Sequence, residues 1–217
     1  PEGFEFYTAE AGFKYKYRED LGVVYSQYPA AGAGVFTRNK FQAAPVQVAQ
    51  NILQEDYVRG IVVNSGQANA CTGETGLDTC YRSLDLVAKE FDLGSKEILP
   101  ASTGVIGEQM DLAVWESAVK GLHARSPLDL AKAITTTDKF PKMAWKTCYL
   151  GENKVKLLGV AKGAGMICPN MATMLGFVCC DAAVAPEDLQ QILSTCVEDS
   201  FNKISVDGDT STNDCVL

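Results

Sequence analysis

The chain has 217 residues, 47% of them hydrophobic and 21% charged, and a net charge of −8. That balance fits a globular protein with a substantial core, in one large domain or two small ones, and excludes a disordered chain, a collagen-like fibre and a coiled coil. The acidic total also argues against a nucleic-acid binder, which normally carries a basic face.

The opening PEGFEFYTAE has no basic start followed by an apolar run, so no secretory signal is read there. Gly22–Gln27 (GVVYSQ) and Gly60–Asn64 (GIVVN) are short, β-branched and bounded by turn residues, which predicts buried strands. Pro45–Tyr57 between them reads as a helix. So does Asp78–Phe91, where Leu84, Val87 and Phe91 recur at helical spacing. A third helix is predicted over Asp111–Arg125, with His123 facing solvent. Trp145–Ala161 reads as a hairpin turning at Gly151-Glu152-Asn153. Thr173–Asp181 is predicted as a buried strand with Cys179 and Cys180 on opposite faces. Pro186 opens a last helix, whose stripe is Leu189, Ile192, Leu193, Cys196, Val197 and Phe201. This order lacks a strict βαβ rhythm and predicts α/β or α+β layers with mixed sheets rather than a barrel.

Eight cysteines are scattered with no C-x-x-C pair, and His123 is the only histidine. A metal site needs clustered ligands, so none is expected. Dispersed cysteines without a secretory signal read as reduced thiols in a cytosol-like compartment. Gly163–Cys180 is uncharged and about the length of a membrane span. Pro169, Asn170, Thr173 and three glycines weigh against that reading.

The segment with chemical content is Lys162–Leu175, KGAGMICPNMATML, which follows one strand and leads into another. Glycines 163 and 165 permit close backbone approach, and Pro169 stiffens the path. A plain turn is the structural alternative. The functional reading is a self-cleaving threonine. The Thr173 hydroxyl attacks the Ala172 carbonyl, the resulting ester is hydrolysed, and Thr173 becomes a new N-terminus. Its α-amine, with a reference pKa of about 8, can then act as base for its own hydroxyl. One residue thereby supplies nucleophile and base without a histidine. Phosphate-loop readings fail, because neither Gly32-Ala-Gly34 nor Gly163-Ala-Gly165 completes G-x-G-x-x-G. A second candidate is LPASTGVIG at 99–107, where a Ser-Thr-Gly turn offers a hydroxyl and a backbone N–H for an oxyanion hole.

Together these segments resemble the ornithine acetyltransferase family, the bifunctional glutamate N-acetyltransferases of arginine biosynthesis. The resemblance runs in order through AGFKYKYREDLGVVYSQYPAAGAGVFTRNKFQAAPV, VVNSGQANACTG at 62–73, PASTGVIG at 100–107, TTD at 136–138, KGAGMICPNMATML and DGDTSTND at 207–214. It implies the fold of the DmpA-type aminopeptidases and a precursor cleaved between Ala172 and Thr173. Residues 1–172 would form an α chain, and 173–217 the start of a β chain. Thr173 would take the acetyl group from N2-acetylornithine and pass it to L-glutamate, with no cofactor expected. Whether acetyl-CoA also serves as donor stays open. Thr103 and Gly104 match the family's oxyanion pair; Thr136, Lys162 and Thr173 match positions that contact ornithine. Asn64 and Asn69 are read as supports for tight backbone loops. The resemblance also implies a dimer of αβ units, in the cytoplasm or, in a eukaryote, the mitochondrial matrix. The family's β chain continues beyond DGDTSTND, so its later substrate contacts fall outside these residues. The alternatives are a threonine-nucleophile amidase or aminopeptidase of the same fold, and an inactive structural subunit.

Overall fold

The structure is a computed structural model and describes residues 1–55, 57–165, 174–207 and 209–217. Two five-stranded mixed sheets form its frame. The first contains β1 (Phe4–Ala9), β2 (Leu21–Ala30), β4 (Val58–Gln67), β5 (Ile98–Val105) and β6 (His123–Arg125), in the order β5-β4-β2-β1-β6. The second contains β3 (Val35–Phe36), β7 (Lys142–Leu150), β8 (Asn153–Lys162), β9 (Leu175–Cys180) and β10 (Cys215–Val216), in the order β3-β10-β9-β8-β7.

Connection length sets the direction of pairing. β7 and β8 are joined by the two residues Gly151 and Glu152 and are antiparallel, with Leu150 opposite Asn153. β4 and β5 are separated by helix α2 (Gly73–Glu90) and run parallel, because a parallel pair needs a long crossover. Helix α1 (Ala44–Ile52) packs on α2 and β5; α3 (Leu112–Lys120) packs on α2. Helix α4 (Pro127–Ala133) touches strands of both sheets, and α5 (Pro186–Asp199) packs against β3. Buried side chains from both sheets, among them Val62, Val63, Leu158 and Phe177, join one apolar core. Each such side chain contributes roughly 1.5–3 kcal/mol by leaving water.

The predicted mixed-sheet α/β architecture is therefore observed, and its boundaries have local causes. α1 stops at Ile52 rather than Tyr57, because residues 53–55 turn back and Val58 enters β4. α2 begins five residues before Asp78, with Thr72 at its N-cap. α3 ends at Lys120, where Gly121 terminates it, and does not extend to Arg125. His123 consequently lies on edge strand β6, opposite Thr8 and exposed; the prediction of a helical His123 was wrong, its exposure right. α4 was not predicted, although Ser126 and Asp129 form a reciprocal cap at its start. Cys179 is buried and Cys180 half-buried, as alternation along β9 requires. The seven described cysteines are free thiols. Among the described residues no helix is long and apolar enough to cross a membrane, and no group of acidic, histidine or cysteine side chains could hold a metal ion.

Candidate active site

The ends of four strands converge where Lys162 closes β8. Lys162 pairs with Leu175 at the start of β9, and Cys215 of β10 pairs with the same Leu175. The fourth strand is β5 of the other sheet, whose Thr103 reaches Lys162.

Thr103 and Gly104 lie within β5, opposite Ser65 and Gly66 of β4. The expected Ser-Thr-Gly turn is thus corrected to a strand end; parallel pairing with β4 extends through residues whose composition alone suggests a turn. Gly104 has φ +138 and Gly66 φ +114, a backbone state that side chains disfavour. A Cβ on Gly104 would run into the Gly66 carbonyl. The two glycines let the strand ends approach closely while departing from regular geometry.

Lys162 is only 2% exposed, a rare environment for an ammonium. Burial lowers its pKa, helped by the neighbouring Lys142 charge and opposed by the carboxylates of Asp138 and Asp214. Its Nζ donates to Thr103 Oγ1 at 3.0 Å. An ammonium has donors only, so the Thr103 oxygen accepts and the hydroxyl proton is left to point elsewhere. The pair therefore offers a polarised hydroxyl donor at the mouth of the segment that begins with Gly163.

Asp138 supports this arrangement. Its buried carboxylate accepts from Lys142 Nζ and from the Gly163 amide at 2.8 Å. Burial acts to raise its pKa, but those hydrogen bonds and the charges of Lys162 and Lys142 outweigh it and hold the group below the ordinary aspartate value. The Thr136 amide also donates to Asp138, at 3.4 Å. One carboxylate thus ties the Thr136 turn to the residue after Lys162. Thr136 is half-buried. The structure accordingly brings Thr103, Lys162 and, through Asp138, Thr136 into one neighbourhood. Ala172 and Thr173, the predicted cleavage pair and nucleophile, lie outside the described residues. In the sequence Asp138 is marked only as the last residue of TTD; its bond to Gly163 gives it a role.

Asn64 and Asn69 both brace neighbouring backbone, as read. Asn64 Nδ2 donates to the Gln67 carbonyl at 2.8 Å. Asn69 has φ +47; its amide donates to the Gly76 carbonyl and its oxygen accepts from Thr72. The exposed His123 bonds Gly121 and Glu19, and neither is in this cluster. A surface cleft of about 370 Å³ lined by Gly32, Phe36, Leu53 and Gln190 shares no residue with it.

The architecture is similar to that of the l-aminopeptidase d-ala-esterase/amidase of Ochrobactrum anthropi, described as a variant of the Ntn-hydrolase fold. The TM-score is 0.54 at 10% identity, over 99% of this chain and 70% of that one. By fold, the chain is an α/β protein of this Ntn-hydrolase-like class. A family model narrows this: ArgJ matches residues 5–217, and the chain belongs to the ArgJ family. It is 52% identical over 222 residues to the arginine biosynthesis bifunctional protein ArgJ of Nitratidesulfovibrio vulgaris, covering 100% of this chain and 56% of the relative. The ArgJ of Thermotoga neapolitana is 45% identical, with the same coverage. The crystal structure of ArgJ from Bacillus halodurans matches with TM-score 0.75 and 38% identity, over 79% of this chain and 92% of that one. Ornithine acetyltransferase of Mycobacterium tuberculosis, solved with ornithine, matches with TM-score 0.64 and 34% identity, over 78% and 92%. The chain spans little more than half the length of these curated relatives.

Proposed function

We propose that this chain is part of a self-processing acyltransferase that moves acetyl from N2-acetylornithine to L-glutamate through an acetyl-threonine at Thr173. The observation that carries the reading is the buried Lys162–Thr103 hydrogen bond at the entrance to the segment containing Thr173. The names and ornithine ligand of the relatives point to the same chemistry.

Processing begins when the Thr173 hydroxyl adds to the Ala172 carbonyl carbon. The C–N bond breaks and an ester forms. Water then cleaves the ester, leaving a carboxylate on Ala172 and a free α-amine on Thr173. This divides the sequence into an α chain of residues 1–172 and a β chain beginning at 173.

In the transfer reaction the α-amine accepts the proton of the Thr173 hydroxyl, which attacks the acetyl carbonyl of N2-acetylornithine. Negative charge develops on the acetyl oxygen. The Thr103 hydroxyl and the Gly104 N–H supply donors to it, and the Lys162 ammonium strengthens the first by bonding to its oxygen. Ornithine leaves with a proton on its amine. Glutamate's amine then attacks the acetyl-enzyme by the same steps in reverse. Thr136 and Lys162 face the ornithine part of the donor. The α and β chains remain paired, and two αβ units make a dimer.

The test uses the full-length polypeptide. Its smaller fragment should begin Thr-Met-Leu, and Thr173→Ala should stay folded and uncleaved. Incubation with N2-acetylornithine should add an acetyl mass to that fragment, and ornithine release should require glutamate for turnover. Ornithine release indifferent to glutamate, with free acetate as product, would overturn transfer in favour of a hydrolase. A single unprocessed species forming no acetyl adduct would favour a structural subunit.

A further inference from the structure

Two consecutive side chains before β10 hold two different parts of the site. Asn213 Nδ2 donates to the Ser102 carbonyl at 2.9 Å and to the Ala68 carbonyl at 2.6 Å. The Ser102 carbonyl belongs to the peptide that joins Ser102 to Thr103, so this bond fastens the rigid unit leading into the candidate oxyanion strand. Thr212 Oγ1 donates to Asn213 Oδ1 at 2.7 Å and fixes which way the amide faces. Asp214 Oδ1 accepts the Met174 amide at 2.8 Å. The Cys215 amide donates to the Met174 carbonyl at 3.1 Å. Met174 is therefore gripped at both its N–H and its C=O, one residue after Thr173.

The clasp is itself anchored. The Thr37 amide donates to the Asp214 carbonyl at 2.9 Å, the Thr37 hydroxyl to the Ser211 carbonyl at 2.7 Å, and the Ala43 amide to the Thr212 carbonyl at 2.9 Å. Asn213 and Asp214 are both buried.

We infer that Asn213 and Asp214 are positioning residues, which set the spacing between the oxyanion strand at Thr103 and Met174, to which Thr173 is directly joined. The inference rests on the proposed nucleophile and deepens it. Reaction at Thr173 requires its hydroxyl and the oxyanion donors to converge on one carbonyl, and a displacement of about 1 Å can cost about 100-fold in rate.

The experiment compares Asp214→Ala, Asp214→Asn and Asp214→Glu in the full-length polypeptide, with the wild type alongside. Asp214→Asn keeps an acceptor oxygen for the Met174 amide; Asp214→Glu keeps the acceptor but moves it by one methylene. Asp214→Ala is expected to slow cleavage at 172–173 and kcat about 100-fold with KM within about twofold, and Asp214→Asn to recover at least about a tenth of the wild-type rate. Asp214→Glu, folded, should be slowed as well; where the alanine variant fails to fold, this comparison of Glu with Asn decides. Folded Asp214→Ala or Asp214→Glu that cleaves and turns over like the wild type overturns the positioning role and leaves the nucleophile reading standing. A wild type that never yields a Thr-Met-Leu terminus overturns both.

Discussion

Lys162 Nζ on β8 donates to Thr103 Oγ1 on β5 across 3.0 Å, so a buried hydrogen bond joins the two sheets where the proposed chemistry occurs. The contact forces an ammonium into the interior and leaves a threonine hydroxyl committed as a donor. An arrangement that costs desolvation and orients a hydroxyl is more readily understood as catalytic than as stabilising.

Lys162→Met should retain the fold, since methionine fills the space of the lysine stem, and should reduce kcat about 100-fold by removing the charge behind the oxyanion donor. Its stability should differ from the wild type in pH dependence. The folded-state pKa of Lys162 lies below the unfolded one, so the cost of burying the ammonium is fully present below the folded value. It is relieved as pH rises from there toward about 10. Urea unfolding at rising pH should show wild-type stability gaining on that of the methionine variant.

Thr103→Val removes the hydroxyl while keeping the side-chain shape. The acetyl-transfer rate should fall about 100-fold, with the fold intact by circular dichroism. Thr103→Ser, which restores a hydroxyl at the same carbon, should recover most of it. Equal rates in valine and serine variants would remove Thr103 from the oxyanion site.

Gly104→Ala should be destabilising by about 3 kcal/mol or more, measured by denaturant unfolding. The φ of +138 disfavours any Cβ, and the added methyl has no room against the Gly66 backbone. Gly107, also at positive φ, has open space around it. Gly107→Ala should cost about 1 kcal/mol, so the comparison separates strain from the clash.

Asp138→Asn should lower stability at pH 7 and raise the KM for N2-acetylornithine, because the bonds to Lys142 and Gly163 weaken and the Thr136 turn loosens. The folded-state pKa of Asp138 is depressed despite its burial. Its contribution is present above the unfolded value of about 4 and is lost as pH falls through the folded one. The stability gap between wild type and variant should therefore hold from pH 7 down to about 5 and narrow as pH falls below about 4.

Local patterns were legible where one segment carries its own signal. The β-branched runs of β2 and β4, the turn between β7 and β8 and the helical stripe of α2 appear where the sequence places them. The stripe of α5 does so only in part: Val197 is buried, but Ile192 and Cys196 are exposed and Phe201 lies beyond the helix. Thr103 shows the limit: Ser-Thr-Gly composition says turn, while the neighbouring β4 draws it into a strand. His123 shows another, since Gly121 ends its helix and an unpaired edge of β1 takes up the next residues. Asp138 was visible in its motif, but its role depends on Gly163, a partner 25 positions away.

The amino-acid sequence by itself determined the family, the mixed-sheet class and the chemically distinctive residues, because motif order and hydrophobic period are properties of consecutive positions. Tertiary structure alone decided that Lys162 is buried against Thr103, that Asp138 holds Gly163, and that Asn213 and Asp214 reach the two sides of the centre. Those facts depend on which strand ends meet. Strand meeting is settled by burial of the shared core and by backbone pairing between distant segments, and neither is written in the spacing of neighbouring residues.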